Sequence, residues 1–251
     1  MAPAVPSSTP GKVRSCLQRL FWSIWSPSRT FQALRDRPAW HGAFLLIGLG
    51  TAATTWLTVP IFQEISLAAT SQSLSTDQLE QAARINRIAH AVATLGTFLT
   101  TLAYWFVSAL LIWLILQVFA GLTPFRTVFA VVAHANVVSL VSSLLVTALI
   151  LVKLHCLHGG PIEPHDLMIR LGLDLLVEGE PHPSLKVLLA SLNPFSLWYY
   201  GLLVLGVGTV ARADWPRATG VVVVFWVLCM AFGAGIAWIA GALTAPSPQL
   251  G

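Results

Sequence analysis

The chain has 251 residues, of which 56% are apolar and only 10% are charged, and its formal net charge is +4. A soluble domain normally has about 25% charged residues. Together with a mean hydropathy of +0.75, this composition excludes a soluble domain of this length and indicates a polytopic membrane protein.

Five apolar runs account for this composition, at residues 42–62, 91–120, 128–154, 196–210 and 218–243. A membrane-spanning helix needs about 20 mostly apolar residues. The fourth run is short, and residues 185–192 can lengthen it beyond the Asn193-Pro194 pair. We therefore predict an all-α integral membrane protein with five transmembrane helices and an N-terminal interfacial amphipathic helix.

The domain organisation follows from the same runs. Residues 1–15 are predicted to form a disordered tail, because the first residues are rich in Pro, Ser and small side chains. Residues 16–243 form one five-span membrane domain with an outer loop insert at about 155–189. Residues 244–251 form a C-terminal tail.

The basic residues indicate the orientation. With the N-terminus in the cytoplasm, nine of the 14 Lys and Arg residues lie inside, as the positive-inside rule requires. We thus expect an inner-membrane protein with its N-terminus in the cytoplasm and its C-terminus outside. We also expect no cleavable signal peptide before the first run. The three cysteines lie inside, outside and within a span, so they form no disulfide framework: Cys16, Cys156 and Cys229.

The segment before the first span has two amphipathic parts. Apolar residues recur at helical spacing from Leu17 to Trp25, and a second short helix starts at the Ser26-Pro27 pair and ends before Pro38. Aromatic and basic residues together favour a helix in the cytoplasmic headgroup layer. The alternative is a helix packed on the protein's own bundle, and the two arrangements are compatible.

Two features are predicted for the outer side. Ser75-Thr76-Asp77-Gln78 resembles a capping box, so the second span starts as a helix that projects above the membrane. In the insert, Asp166, Arg170, Asp174 and Glu178 stand four residues apart, which favours a helix beginning near Pro164. Alternating apolar residues at 169–175 leave a strand as the alternative.

The third span contains the most polar membrane face. Its residues are Asn136, Ser139, Ser143 and Thr147, with His134 and Ser142 on neighbouring faces. Polar groups at membrane depth need partners or water. Helix packing is the favoured role, and a solute path is the alternative. The spans contain no carboxylate to exchange protons with His134, which disfavours an ion-coupled carrier.

The outer loop contains His155, His158 and His165, which are weak candidates for metal ligands, near Cys156 and Glu163. Their spacing fits no zinc-finger or HExxH pattern, so a hydrated polar loop is the preferred interpretation. The chain also lacks the GxSxG, GxGD, EExxxR, Walker and dinucleotide-binding motifs. We therefore predict no metal, no cofactor and no enzymatic activity.

In the fifth span, Gly233, Ala237 and Gly241 repeat every four residues. Such a small-residue face lets another helix approach closely. Packing within one subunit is favoured over a subunit interface.

Several short motifs occur in a characteristic order. The lead-in 26–31 and Pro38-Ala39-Trp40 come before the first span, and the turn 121–126 joins the second and third spans. The segment 193–198, followed by Gly206-Val207-Gly208, belongs to the fourth span, and the turn 212–217 and Trp226 come last. In order and spacing, the chain resembles the bacterial branch of the Yip family, whose name refers to Ypt/Rab interaction, over residues 20–243. The long outer insert exceeds what this family leads one to expect.

The resemblance implies a five-span membrane adaptor without an active site, and a bacterial relative would lack Rab partners. It favours a non-enzymatic adaptor or membrane-organising protein. Its partners would be the lipid bilayer and other membrane proteins or further copies of the chain, but no nucleic acid. The alternative is a small-solute permease or channel that uses the polar face of the third span.

Overall fold

The computed structural model describes residues 12–70, 75–119, 121, 123–156, 162, 164–177 and 182–244; of residues 12–17, 19, 69, 70 and 242–244 it describes the backbone alone. Residues 1–11 of the predicted N-terminal tail and residues 245–251 of the C-terminal tail lie outside these ranges. So do His158, Glu163 and Glu178.

The described residues form nine α-helices and no strand. In chain order these are α1 Lys12–Trp25, α2 Pro27–Asp36, α3 His41–Thr70, α4 Thr76–Phe119, α5 Phe125–Ala135, α6 Val137–Cys156, α7 Pro183–Ser191, α8 Pro194–Ala211 and α9 Trp215–Thr244.

Five stretches of the described chain are long and apolar enough to cross a membrane. They are His41–Ala68, Thr76–Phe119, Phe125–Cys156, Pro194–Ala211 and Trp215–Gly241. The third stretch combines α5 and α6. The prediction of an all-helical membrane protein with five spans is confirmed. The segment 185–192 forms the separate helix α7 and does not lengthen the fourth span.

The spans pack in a closed circuit, in which α3 contacts α4 and α6, α8 contacts α6 and α9, and α9 contacts α4. The two halves of the third span take different positions in this circuit. Helix α5 packs mainly on α4 and α8, whereas α6 packs mainly on α3. The third span therefore moves away from α4 at the junction of α5 and α6.

The N-terminal helices lie against the bundle. Phe31 and Leu34 of α2 are fully buried, and Leu20 of α1 is also buried, because α2 packs on α8 and α5. Pro27 occupies the start of α2. The helix ends at Asp36 with Arg37 as its C-terminal cap, which agrees with the prediction that it ends before Pro38. Elsewhere on α1, Phe21 and Trp25 are exposed. The structure thus combines bundle packing with a free aromatic face.

Helices α3 and α4 form a hairpin longer than a membrane is thick. At 1.5 Å per residue, the 44 residues of α4 extend over about 66 Å, against about 30 Å for the hydrocarbon core. The predicted capping box starts α4: Ser75 N donates to Gln78 Oε1 (2.9 Å), and Gln78 N donates to Ser75 Oγ (3.4 Å).

The prediction of a helix in the outer insert is wrong, and the alternative, a strand, does not form there either. The chain there makes two 3₁₀ turns, Pro164–Leu167 and Leu173–Leu176. Between them Gly172 is extended and lies against α7, where an added Cβ would be 2.7 Å from the Ala190 carbonyl oxygen. Leu173 N also donates to Leu192 O (3.2 Å). These contacts with the α7 segment outweigh the local preference for a helix.

Candidate functional site

Asn136 lies where the third span changes direction. It is buried, and its Nδ2 donates to Val132 O (2.8 Å), while Ser139 N donates to Asn136 O (3.0 Å). Residues 127–135 of α5 are all buried, whereas α6 is exposed over much of its length. The asparagine side chain bonds to the preceding turn at the point where α5 ends and α6 begins.

The other polar residues of this face also bond locally. Ser139 Oγ donates to Asn136 Oδ1 (3.2 Å), and Ser143 Oγ donates to Leu140 O (3.0 Å). His134 is buried with its Nδ1 2.9 Å from Ala130 O. Since a carbonyl oxygen only accepts, this geometry assigns the proton to Nδ1. Thr147 is buried farther along α6.

A cavity of about 390 Å³ lies beside this face, between α4, α6 and α8. It lies where the third span leaves α4. Its polar lining consists of hydroxyl and amide groups, and all three tyrosines of the chain contribute. The lining residues with polar side chains are Tyr104, Asn136, Ser139, Ser142, Ser143, Asn193, Ser196, Tyr199 and Tyr200. His134 and Thr147 are not among them.

Tyr199 occupies a particular position in this cavity. Its side chain is buried (7% exposed), and its hydroxyl has no hydrogen-bond partner among the described residues. Tyr104 and Asn136 lie beside the hydroxyl, but neither meets the geometry of a hydrogen bond with it. The hydroxyl is itself enclosed by the protein, and a buried hydroxyl left unpaired costs about 1–3 kcal/mol.

Helix α8 starts at the edge of this cavity. Asn193 Oδ1 accepts from Ser196 N (2.9 Å), and Asn193 Nδ2 donates to Ala190 O (3.0 Å). The asparagine therefore caps α8 and ties it to the end of α7. This cap explains why an Asn-Pro pair starts a new helix at this position.

The sequence pattern predicts the polar α6 side of this cavity but not the contribution of the tyrosines. A single tyrosine in an apolar run does not indicate a binding site, because its aromatic ring also suits the lipid environment. The available signal is that all three tyrosines fall within predicted spans, at positions 104, 199 and 200.

The small-residue face of α9 lies against α7. A Cβ added to Gly233 would be 3.5 Å from Val187 Cγ1, and one added to Gly241 would be 3.3 Å from Pro183 Cγ. Ser184 Oγ also donates to Ala234 O (3.1 Å). Ala237 lies between the two glycines on α9. At Gly233 and Gly241 the face thus approaches a helix of the same chain.

The loop histidines are not assembled into a metal site in the part of the chain that the structure describes. There, no three His, Cys, Asp or Glu side chains form a group able to hold a metal ion. His155 is exposed. His165 is largely exposed, with its Nε2 3.4 Å from Asp166 Oδ1. His158 lies outside the described residues.

Segments far apart in sequence meet beside α5. A Cβ added to Gly206 of α8 would be 2.4 Å from Val131 Cγ1 and 3.2 Å from the Phe31 ring. Trp40 makes an edge-to-face contact with Phe129, with ring centroids 5.0 Å apart. The lead-in before the first span, the third span and the fourth span therefore share one packing centre. These are the regions whose motifs suggested a family resemblance.

Comparisons with known proteins agree with that resemblance. The family model of the Yip1 domain matches residues 22–237. A membrane protein of Bacillus subtilis (strain 168), YknW, is 26% identical over 217 residues, covering 82% of this chain and 87% of YknW. No solved structure matches the chain significantly. Because the family model covers most of the chain, from α1 to α9, this membrane protein belongs to the Yip1 domain family.

Proposed function

We propose that this protein is a non-enzymatic adaptor in the bacterial inner membrane, with its N-terminus in the cytoplasm. In this proposal it binds another membrane protein through a helix face that its own bundle leaves uncovered. An exposed row of apolar residues on α4 is the observation that carries the proposal.

The row consists of residues spaced three and four apart, each 56–64% exposed: Ile85, Ile88, Val92, Leu95 and Leu99. This is the spacing of the contact positions of a coiled coil. We call these five residues the α4 seam. A second helix with matching spacing would fit along it.

Lipid can cover the seam residues within the apolar run 91–120, which are Val92, Leu95 and Leu99. Ile85 and Ile88 require another explanation. They precede the apolar run 91–120 and lie among exposed charged residues, namely Glu80, Arg84 and Arg87. Because α4 is longer than the hydrocarbon core is thick, we assign this charged part of the helix to the region beyond the core. Covering a large aliphatic side chain is worth about 1.5–3 kcal/mol, so a partner helix would gain from contact with both isoleucines.

Photo-cross-linking in intact cells tests the proposal. A photoreactive amino acid replaces Ile88 in the full-length chain, and the cross-linked proteins are identified by mass spectrometry. The matched control places the same amino acid at Ala83, which is also exposed but lies on another face of α4. We expect a discrete cross-link to another membrane protein from position 88 and none from position 83.

A charge on the seam gives the complementary test. Ile88→Glu should abolish the cross-link formed from a probe at Ile85, whereas Ala83→Glu, which adds the same charge, should leave it intact. Position 88 forming products with lipid alone, or with a second copy of this chain alone, would contradict the adaptor proposal.

The cavity beside Asn136 favours a second candidate, a small-solute permease or channel. Its polar lining lies within the spans, as a solute path requires. Against this candidate, Asn136, Ser139 and Ser143 bond within their own helical turns, as side chains that serve packing do. A substitution at Asn136, described below, separates the two functions.

A further inference from the structure

We propose that a groove between Trp40, α4 and the start of α5 binds an acidic phospholipid, with the phosphate at Arg126 and an acyl chain along the apolar walls. The groove has a volume of about 570 Å³, within the range of pockets that hold small molecules. This inference depends neither on the adaptor proposal nor on the orientation of the chain. Of the α4 seam, Leu99 alone lines the groove.

Arg126 supplies the charge that selects the ligand. It is the one charged residue among the described residues that line the groove. Its side chain is exposed and forms no hydrogen bond or ion pair with another described residue, so a ligand can reach it. A guanidinium binds a phosphate through two parallel hydrogen bonds. The described lining includes no Asp or Glu to receive the ammonium group of a zwitterionic lipid.

The position of Arg126 in α5 also favours an anion. The helix begins at Phe125, and its N-terminal cap, Pro124, makes no side-chain hydrogen bond to it. The first N–H groups of a helix have no partner within the helix and carry a partial positive charge. Arg126 adds a full positive charge at this end, where the helix dipole disfavours a cation. A phosphate beside Arg126 would interact favourably with both the guanidinium and the helix end.

The other walls of the groove are apolar and suit an acyl chain. Leu99 and Phe106 are 56% and 49% exposed, so the groove is open to the bilayer. Trp40 directly precedes α3 and Arg126 lies in the first turn of α5, so the charged end of the groove lies where spans end and headgroups begin. The apolar lining includes Trp40, Leu99, Leu102, Phe106, Phe125 and Phe129.

Only a ligand with both a phosphate and a chain matches the whole groove. A free phosphate would leave the apolar walls uncovered, and a neutral lipid would leave Arg126 without a counter-charge. An acidic phospholipid such as phosphatidylglycerol satisfies both parts, because its headgroup carries the phosphate charge without a compensating ammonium group.

The test uses the full-length protein in detergent and compares three probes. They are palmitoyl-oleoyl phosphatidylglycerol, phosphatidylethanolamine with the same acyl chains, and glycerophosphate, which has the phosphate but no chain. Physiological ionic strength screens non-specific attraction between exposed charges. Binding is measured as the ligand-dependent rise in Tm, and bound lipids are counted by native mass spectrometry.

Two pairs of variants localise the effect. Arg126→Gln removes the charge in the groove, and Arg217→Gln is its control, because Arg217 is also exposed near the start of a span but does not line the groove. Ala103→Phe fills part of the groove, and Ala83→Phe is its control on the same helix, since both alanines are exposed and Ala83 does not line the groove. Without lipid, all four variants should have a Tm close to that of the wild type, which shows that they fold.

We expect phosphatidylglycerol to bind the wild type more tightly than phosphatidylethanolamine does. Arg126→Gln should weaken the binding of phosphatidylglycerol by roughly tenfold or more, the loss of charge-assisted hydrogen bonds, and so remove the preference. Ala103→Phe should weaken the binding of both lipids, and the two control variants should bind as the wild type does.

The proposal is overturned if phosphatidylethanolamine binds the wild type as tightly as phosphatidylglycerol. It is also overturned if Arg126→Gln keeps the preference, or if Arg217→Gln reduces it equally. Glycerophosphate raising the Tm as much as phosphatidylglycerol, or Ala103→Phe binding phosphatidylglycerol as the wild type does, would show that no acyl chain occupies the groove and would overturn the proposal as well.

Discussion

At Gly206 the bundle leaves almost no room for a side chain. Val131 of α5 and the ring of Phe31 of α2 both lie within van der Waals distance of the place where a Cβ would be. Val131 and Phe31 are themselves fully buried, so neither can move without displacing other core groups. The absence of a side chain at this position therefore allows α2, α5 and α8 to meet.

This close packing predicts that Gly206→Ala destabilises the protein. The added Cβ would overlap Val131 Cγ1 at 2.4 Å, and overpacking of this kind costs about 1–3 kcal/mol. The Tm in detergent should fall by several degrees. Thermal unfolding of the purified protein measures this change.

Gly201→Ala provides the control, since Gly201 is in the same helix and a Cβ there would have no neighbour within 4 Å. Alanine favours a helix by about 1 kcal/mol over glycine in water, so this variant should be as stable as the wild type or more stable. Equal losses in the two variants would refute the packing argument.

Asn136 allows a test between packing and transport. If its side chain only joins α5 to α6, Asn136→Leu loses hydrogen bonds worth about 0.6 kcal/mol each in a membrane setting. Val132 O keeps the bond from Asn136 N (3.1 Å), so it is not left unpaired. We expect a small drop in Tm and no change in the solute permeability of proteoliposomes.

Transport predicts a different pair of results for the same variant. Replacing a hydrated asparagine in a solute path changes the stability of the protein little, but it removes a polar group from the path. Solute uptake that is present in the wild type and absent in Asn136→Leu, with an unchanged Tm, would favour the permease. Ser142→Ala, which changes another residue of the cavity lining, tests whether such an effect extends beyond Asn136.

Among the helices, α1 and α2 have one part attached to the bundle and one part exposed. Leu20, Phe31 and Leu34 attach them to the bundle, while Phe21 and Trp25 remain exposed, Trp25 at 71%. Arg29 lies over the Trp22 ring, with its Cζ 5.7 Å from the centroid. An exposed pair of aromatics next to a basic helix is suited to the headgroup layer.

We therefore predict that position 25 contacts the inner leaflet. Trp25→Cys, labelled with an environment-sensitive fluorophore in a cysteine-free background, should show blue-shifted emission that lipids with brominated acyl chains quench. Gln32→Cys is the control, because Gln32 is exposed on α2 but is not part of the aromatic face. Strong quenching at position 25 and weak quenching at position 32 is the expected result, whereas water-like emission from both positions would contradict lipid contact.

Local signals in the sequence were sufficient for most elements. The capping box at Ser75, Pro27 at the start of α2 and the long apolar runs each act within a few residues, so they identify helices without tertiary information. The outer insert shows the limit of such signals. Charges spaced four apart favoured a helix there, but the extended Gly172 and its contact with Ala190 depend on α7, which follows later in the chain.

The candidate site was predictable only in part, for the same reason. The polar face of α6 is visible as a periodic pattern in one segment. The cavity exists because the third span leaves α4 after Asn136, and its remaining lining comes from α4 and α8. A change of direction at an asparagine, without Pro or Gly, leaves no clear mark in a single sequence.

At the scale of the whole molecule, the circuit of spans places the two ends of each long helix on opposite sides of the membrane. At 1.5 Å per residue, the stretch Phe125–Cys156, with 32 residues, extends over about 48 Å. It therefore exceeds the hydrocarbon core of about 30 Å. Cys156, at the end of α6, is exposed and lies well away from the α5 end of this stretch.

The side on which Cys156 lies decides the orientation of the chain. The excess of Lys and Arg before the first span and in the turns 121–126 and 212–217 predicts that Cys156 is outside and Cys16 is in the cytoplasm. Two single-cysteine variants test this, one that keeps Cys156 and one that keeps Cys16. A membrane-impermeant maleimide added to intact spheroplasts should label the first variant and spare the second, and permeabilised cells should show label on both. Labelling of Cys16 but not Cys156 in intact spheroplasts would reverse the orientation. It would also move the projecting part of α4, with the exposed Ile85 and Ile88, to the cytoplasmic side, where its partner would then have to be sought.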